Sequence, residues 1–343
     1  MERTAKLRTP ARTPAPAIAL TATLALALLL GACGSSSSSS SSTTEPAQHS
    51  PASTVAGVLA LGRPIVLGHA AGEDVAPHST MYGFAQSVRA GVDVLDLDIQ
   101  RTADDVLVVQ HDDTTKRTTE ADLKVQEITY DQIHALDNGY WFSTTCANTC
   151  TGKPDADYIF RGMRTGRVTP PAGSTAEDFA VPRFADVAER WPDYVINIEI
   201  KGKAPDAFHT ADLLAAEITR LGRTDSVVVT SFDDAVIDHF HAAMPTVMMS
   251  PGLNTLTAYV LAGGSIPMWE KILQVPPVYQ GVEVFTPSYV EKTKAGGYVN
   301  WVWPNGDGED EAGYLDLFQR GANGINASNP PAGVAALHTY LGN

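Results

Sequence analysis

Val92-Asp93-Val94-Leu95-Asp96-Leu97-Asp98-Ile99 is the stretch on which the reading of this chain turns. Branched and long aliphatic residues alternate with aspartates, the pattern of a β-strand whose two faces differ. Asp96 and Asp98 stand two positions apart and therefore share a face, with Leu95 and Leu97 on the other. Two carboxylates held this close raise each other's pKa, so they either share a proton or hold a cation.

Outward from this strand, short apolar runs recur at 64–67, 106–110, 194–200, 226–230, 246–250, 300–303 and 324–327, which with 92–99 makes eight predicted strands. Segments with helical spacing lie between them, at 80–90, 207–221, 234–243 and 313–320. Alternation of this kind predicts a parallel sheet covered by helices, and eight repeats predict an α/β fold closed as a (β/α)8 TIM barrel. Two stretches exceed a minimal barrel. Residues 136–182 are rich in Gly, Pro, Thr and Asp, and residues 252–289 contain an extra extended run, 281–285, that is either a lid strand or a replacement for one of the eight.

The start of the chain reads differently. Arg3, Lys6, Arg8 and Arg12 precede an apolar core at 17–30, too short for a membrane span, and Leu30-Gly31-Ala32-Cys33 resembles the lipobox of bacterial lipoproteins. Residues 1–33 are thus expected to be a leader ending at a lipidated Cys33, 34–54 a flexible Ser/Thr-rich tether, and 55–343 a single barrel domain. This places the protein outside the cell, anchored by lipid to the outer side of the cytoplasmic membrane, with no other membrane contact. The formal charge of −15 becomes more negative still once the leader is gone, which argues against a nucleic-acid partner. Cys146 and Cys150 form an even pair in a polar loop, for which an exported protein favours a local disulfide over zinc.

Polar residues gather at the carboxyl ends of the predicted strands. His69 follows 64–67, His111 follows 106–110, and Glu199 and Lys201 end 194–200. In a parallel barrel such positions converge on one mouth. Two histidines can divide acid and base duties near neutral pH. Asp96, Asp98 and Glu199 make a hard oxygen donor set suited to Mg²⁺ or Ca²⁺, and Lys201 offers a point charge to a phosphate oxygen. Trp301 and Trp303 share a face, explained by packing or, for Trp303 at the mouth, by an aromatic wall beside a substrate.

In this order Gly68-His69, Pro77-His78-Ser79-Thr80, Asp96-Leu97-Asp98, His111-Asp112 and Glu199-Ile200-Lys201 resemble the ordered motifs of the glycerophosphodiester phosphodiesterase family. Arg117-Thr118-Thr119, residues 136–142, Ser231-Phe232, Val302-Trp303 and residues 321–330 extend the resemblance over nearly the whole folded part. It implies a phosphodiesterase that forms glycerol phosphate and an alcohol, with His69 and His111 as acid and base. It implies that Asp96, Asp98 and Glu199 bind one divalent cation, and that Lys201 helps hold the phosphate of a small phosphodiester substrate, beside which Trp303 is expected as the aromatic wall. The chain departs from the family at Ala70, where an arginine is usual, at His78 and Asp96, where glutamates are usual, and at Asn323, where an aspartate is common. Loss of the arginine and the turn glutamate together reads as removal of a linked cation and anion. Two alternatives follow: a phospholipase-like enzyme acting on intact phospholipid, which an exposed apolar rim would favour, and a non-catalytic phosphodiester-binding lipoprotein.

Overall fold

The computed structural model describes residues 52–146, 149–306 and 308–342. Cys33, its leader and residues 34–51 of the tether lie outside the described residues. Eight parallel strands form the centre: β1 (Ile65–Gly68), β2 (Val94–Arg101), β3 (Val195–Ile200), β4 (Val227–Thr230), β5 (Met248–Met249), β6 (Ile272–Val275), β7 (Val299–Val302) and β8 (Gly324–Ala327). They pair in the order β5-β4-β3-β2-β1-β8-β7-β6, a nearly closed barrel whose open seam lies between β5 and β6. The short turn Met268–Glu270 lies against β5 at that seam.

Apart from the short helices Val55–Leu59 and Tyr130–His134, one helix follows each strand: α1 (Met81–Ala90), α2 (Phe184–Arg190), α3 (Asp206–Leu221), α4 (Asp234–Ala243), α5 (Leu253–Ala262), α6 (Pro287–Gly296), α7 (Glu311–Gln319) and α8 (Pro330–Leu341). Their starts are set locally. Thr80, Asp233, Thr286, Asp310 and Asn329 each accept a backbone N–H of the first turn through the side chain, and α6 and α8 carry proline at the first position.

Two strand expectations need correction. Residues 107–109 are no barrel strand; Leu107–Val109 returns antiparallel along the end of β2. Only residues 102–106 separate the two runs, enough for a hairpin and far too few for a parallel crossover. The eighth barrel strand is instead β6, inside the 252–289 stretch, where Pro276-Pro277 ends it after four residues. The run at 281–285 contributes Val282–Glu283, which pairs with Val278–Tyr279 in a two-stranded ribbon beside the mouth.

Alternation along the strands sorts the core into two shells. Leu95, Leu97 and Ile99 face outward with Ile196, Ile198 and Ile200 against the helices. Ile65, Leu67, Val94, Val195, Val228, Ile272 and Trp301 fill the lower interior of the barrel. Gly324 is required there, because a Cβ would stand 2.8 Å from the Trp301 ring and 2.9 Å from Ile65. Residues 102–183 form a long excursion between β2 and α2 with a hydrophobic cluster of its own, Phe142, Phe160, Met163 and Phe179, and Cys146 is joined to Cys150 by a disulfide within it.

Candidate active site

Above the apolar floor, the same inward faces turn polar. In register, Asp96 pairs with Asn197 and Asp98 with Glu199 on neighbouring strands. Asn197 donates to Asp96 Oδ1 at 2.6 Å and exchanges two hydrogen bonds with Gln274 of β6, at 3.0 and 2.8 Å. Asp96 is thus built into a buried polar layer, two residues deeper than Asp98. One layer higher, Lys201 Nζ lies 2.8 Å from Glu199 Oε1 and 3.5 Å from Asp98 Oδ1.

These groups line one cavity of about 700 Å³ at the carboxyl ends of the strands. His69, His111, Asp96, Asp98, Glu199, Lys201 and Trp303 all border it, so the residues singled out from sequence meet in one place. Trp301 does not; it sits 1 % exposed in the barrel interior. The opposite wall is apolar, made by Phe232, Leu256 and Val260 of α5, Tyr279 and Val282 of the ribbon, and Trp303.

Each histidine is oriented by a carboxylate. His69 Nδ1 lies 3.1 Å from Glu73 Oε1 and 3.1 Å from Ser328 Oγ. Burial disfavours the His69 cation, but the Glu73 hydrogen bond and the charges of Glu73, Asp96 and Asp98 outweigh it and push the pKa up to about 10. His111 Nδ1 lies 2.6 Å from Asp112 Oδ1, and Asp112 in turn accepts Arg117 Nε at 2.9 Å. Burial works against the Asp112 anion, yet His111 and Arg117 hold its pKa well below the usual carboxylate range. Gln100 Nε2 donates to the carbonyl of His111 at 3.2 Å and so fixes the turn that carries it.

The carboxylates themselves are poorly served as anions. Burial pushes Asp96 up, against the pull of His69 and the Asn197 hydrogen bond. Burial also raises Glu199, although Lys201 opposes it. Asp98 goes the other way, since Lys201 and the histidines overcome its burial, and the two anions in return hold the Lys201 ammonium above its ordinary range despite burial.

Glu73, Asp74, Asp96, Asp98, Glu199 and Glu309 all line the cavity, against Lys201 as its one lysine or arginine among the described residues. An anionic substrate entering such a field needs a further cation. The donor chemistry fits a hard divalent ion, with Asp98 and Glu199 side by side and Asp96 below. Among the described residues no three acidic, histidine or cysteine side chains stand close enough to form a metal cage as they lie.

Sequence reading passed over Glu73, Asn197, Glu309 and Ser328. Glu73 carried a signal, one helical turn after His69; Asn197 carried another, in phase with Glu199 on the same strand. Glu309 carried none, since it comes from the loop after β7; it accepts the Tyr314 hydroxyl and the Ser328 N–H, the latter at 3.3 Å, and burial raises its pKa.

The chain resembles known proteins over its barrel. A glycerophosphodiester phosphodiesterase of Caldanaerobacter subterraneus subsp. tengcongensis is 25 % identical over 274 residues, 78 % of this chain and 94 % of that one. A human lysophospholipase D is 28 % identical over 131 residues, 38 % of this chain and 33 % of its own length. Three further curated relatives are likewise matched over less than two thirds of their length. A phosphodiesterase of Oleispira antarctica, solved in complex with the product sn-glycerol-3-phosphate, superposes with a TM-score of 0.60 at 17 % identity, covering 80 % of this chain and 97 % of that one. The model of the glycerophosphoryl diester phosphodiesterase family matches residues 69–305, and the chain belongs to that family.

Proposed function

We propose that the protein hydrolyses glycerophosphodiesters to glycerol phosphate and an alcohol, with proton transfers divided between His69 and His111. The observation that carries this reading is the cavity at the barrel mouth, where both imidazoles engage a carboxylate through Nδ1 and leave Nε2 for a substrate. One histidine takes the proton of the attacking hydroxyl; the other returns a proton to the oxygen that leaves phosphorus. Lys201 offers its ammonium to a phosphate oxygen, and Trp303 with Phe232 walls the alcohol, their rings 6.2 Å apart. Asp96, Asp98 and Glu199 would hold one divalent cation, Mg²⁺ or Ca²⁺, which when bound neutralises phosphate charge and lowers the pKa of the attacking hydroxyl.

The sequence of the leader, the lipobox cysteine Cys33 and the polar tether support an exported, lipid-anchored enzyme. The test is turnover of glycerophosphodiesters by the purified protein: His69→Ala or Asp98→Ala retaining the wild-type rate would overturn the assignment. Binding of the diester with no product in either ion would favour the non-catalytic alternative instead.

One observation favours a second substrate class. Phe232, Leu261, Val278 and Val282 are 47, 67, 40 and 47 % exposed around the mouth, an apolar rim that suits a diester carrying an acyl chain. Leu261→Ser with Val278→Ser should then slow hydrolysis of a lysophospholipid and leave glycerophosphocholine turnover unchanged. Equal effects on both substrates would remove this reading.

A further inference from the structure

Neither Ala70 nor a neutral His78 brings a charge between His69 and His111, yet that space is not left uncharged. Glu73 reaches back to His69 and also places Oε2 3.5 Å from His78 Nε2 and 3.7 Å from Arg117 Nη1. Arg117, at the end of the short turn Thr115–Arg117, lies with Nη2 3.2 Å from His78 Nε2 while its Nε donates to Asp112. A carboxylate, a guanidinium and a second carboxylate therefore join Nδ1 of His69 to Nδ1 of His111. His78 sits at the centre, 2 % exposed, with burial and the Arg117 charge bringing its pKa down to about 3. It is neutral, and its Nε2 accepts from Arg117.

Two features separate this bridge from a surface ion pair. Arg117 does not line the cavity, so its charge is not offered to a substrate and acts on the residues beside it. The backbone also bends at a cost to place Glu73: Ala70 and Ala71 are both left-handed, at φ of 44° and 71°, consecutive non-glycine residues in a conformation that side chains disfavour. That turn brings a carboxylate four residues on back against His69.

We propose that Glu73 is a positioning residue for His69, and that the Glu73, Arg117 and Asp112 bridge sets both imidazoles with Nδ1 engaged and Nε2 turned to the cavity. The proposal rests on the histidine pair being the proton-transfer pair argued above, but its structural half can be read without turnover. Ring ¹⁵N signals of the full chain, labelled at histidine and free of added metal, report it. Glu73→Gln, which keeps side-chain size, should move the His69 ring signals, and Arg117→Met should move those of both His69 and His111.

In glycerophosphocholine hydrolysis Glu73→Gln should lower kcat about 10- to 100-fold, a loss of the size seen when the carboxylate partner of a metal-ligating histidine is removed, with KM within about threefold. Glu73→Asp should recover part of the loss. The double variant with Arg117→Met should lose less than the product of the single losses, because both act through one bridge. Unmoved His69 signals in Glu73→Gln, or kcat unchanged beside a catalytically dead His69→Ala, would overturn the proposal. A wild-type protein without activity on any phosphodiester would instead overturn the functional reading and leave the ring signals to decide the bridge.

Discussion

Lys201 is the sharpest lever on this site, because it is the one ammonium shared by two buried anions. Its Nζ stands 2.8 Å from Glu199 and 3.5 Å from Asp98, and the three side chains are 14, 20 and 8 % exposed. At an effective dielectric of about 20 the two contacts correspond to a gross attraction of roughly 5 to 6 kcal/mol each, most of it offset by desolvation. Lys201→Met keeps the stem and deletes the charge, leaving two adjacent buried carboxylates uncompensated. The expected loss of unfolding free energy is about 3 to 5 kcal/mol near pH 8.

The loss should shrink toward pH 5, since the stranded carboxyls then take up protons and the repulsion disappears. Millimolar Mg²⁺ or Ca²⁺ should restore more stability to Lys201→Met than to the wild type, because the added cation meets the charge that lysine left behind. Urea unfolding followed by circular dichroism, at both pH values and with or without each ion, measures all three effects. Equal stability of variant and wild type at pH 8, with no preferential rescue by either ion, would refute the electrostatic account of the site.

Other perturbations separate framework from site. Trp301→Ala should cost about 3 to 5 kcal/mol of stability, since the ring fills the barrel floor against Gly324, whereas Trp303→Ala should leave the urea midpoint nearly unchanged and raise KM. Glu270, 4 % exposed at the barrel seam, has its pKa pushed up to about 7 by burial and by Asp238 and Asp234. The folded state thus binds that proton more tightly than the unfolded chain, so its contribution is present below about pH 4.5 and is lost as pH rises through about 7. Glu270→Gln should raise Tm at pH 8 and leave it unchanged at pH 4. The Cys146 to Cys150 disulfide closes so short a loop that its reduction should lower stability by no more than about 2 kcal/mol.

The barrel was legible wherever strand ends carry their own signals. Asp96-Leu97-Asp98 and Ile198-Glu199-Ile200 show period-two alternation that survives folding intact, and both strands face as that period requires. Periodicity could not tell Leu107–Val109 from a barrel strand, because an apolar triplet pairs in either direction; only the brevity of the intervening loop decides it. β6 stayed hidden because four residues before two prolines give too little pattern to read, and its inward Gln274 breaks the apolar run. At the site, residues at strand ends could be placed from sequence. Arg117 and Glu309 could not, since they come from loops whose paths are set by tertiary contacts, and Glu73, although one helical turn after His69 in sequence, meets that imidazole only through the left-handed turn at Ala70 and Ala71.

Release of glycerol phosphate from glycerophosphocholine by the purified protein, with Mg²⁺, with Ca²⁺ and with chelator, tests the central claim most directly. The account predicts product with a divalent ion, none with chelator, and a fall of roughly 10²- to 10⁴-fold on replacing either His69 or His111. Product formed at the same rate with chelator present and with both histidines replaced would contradict it.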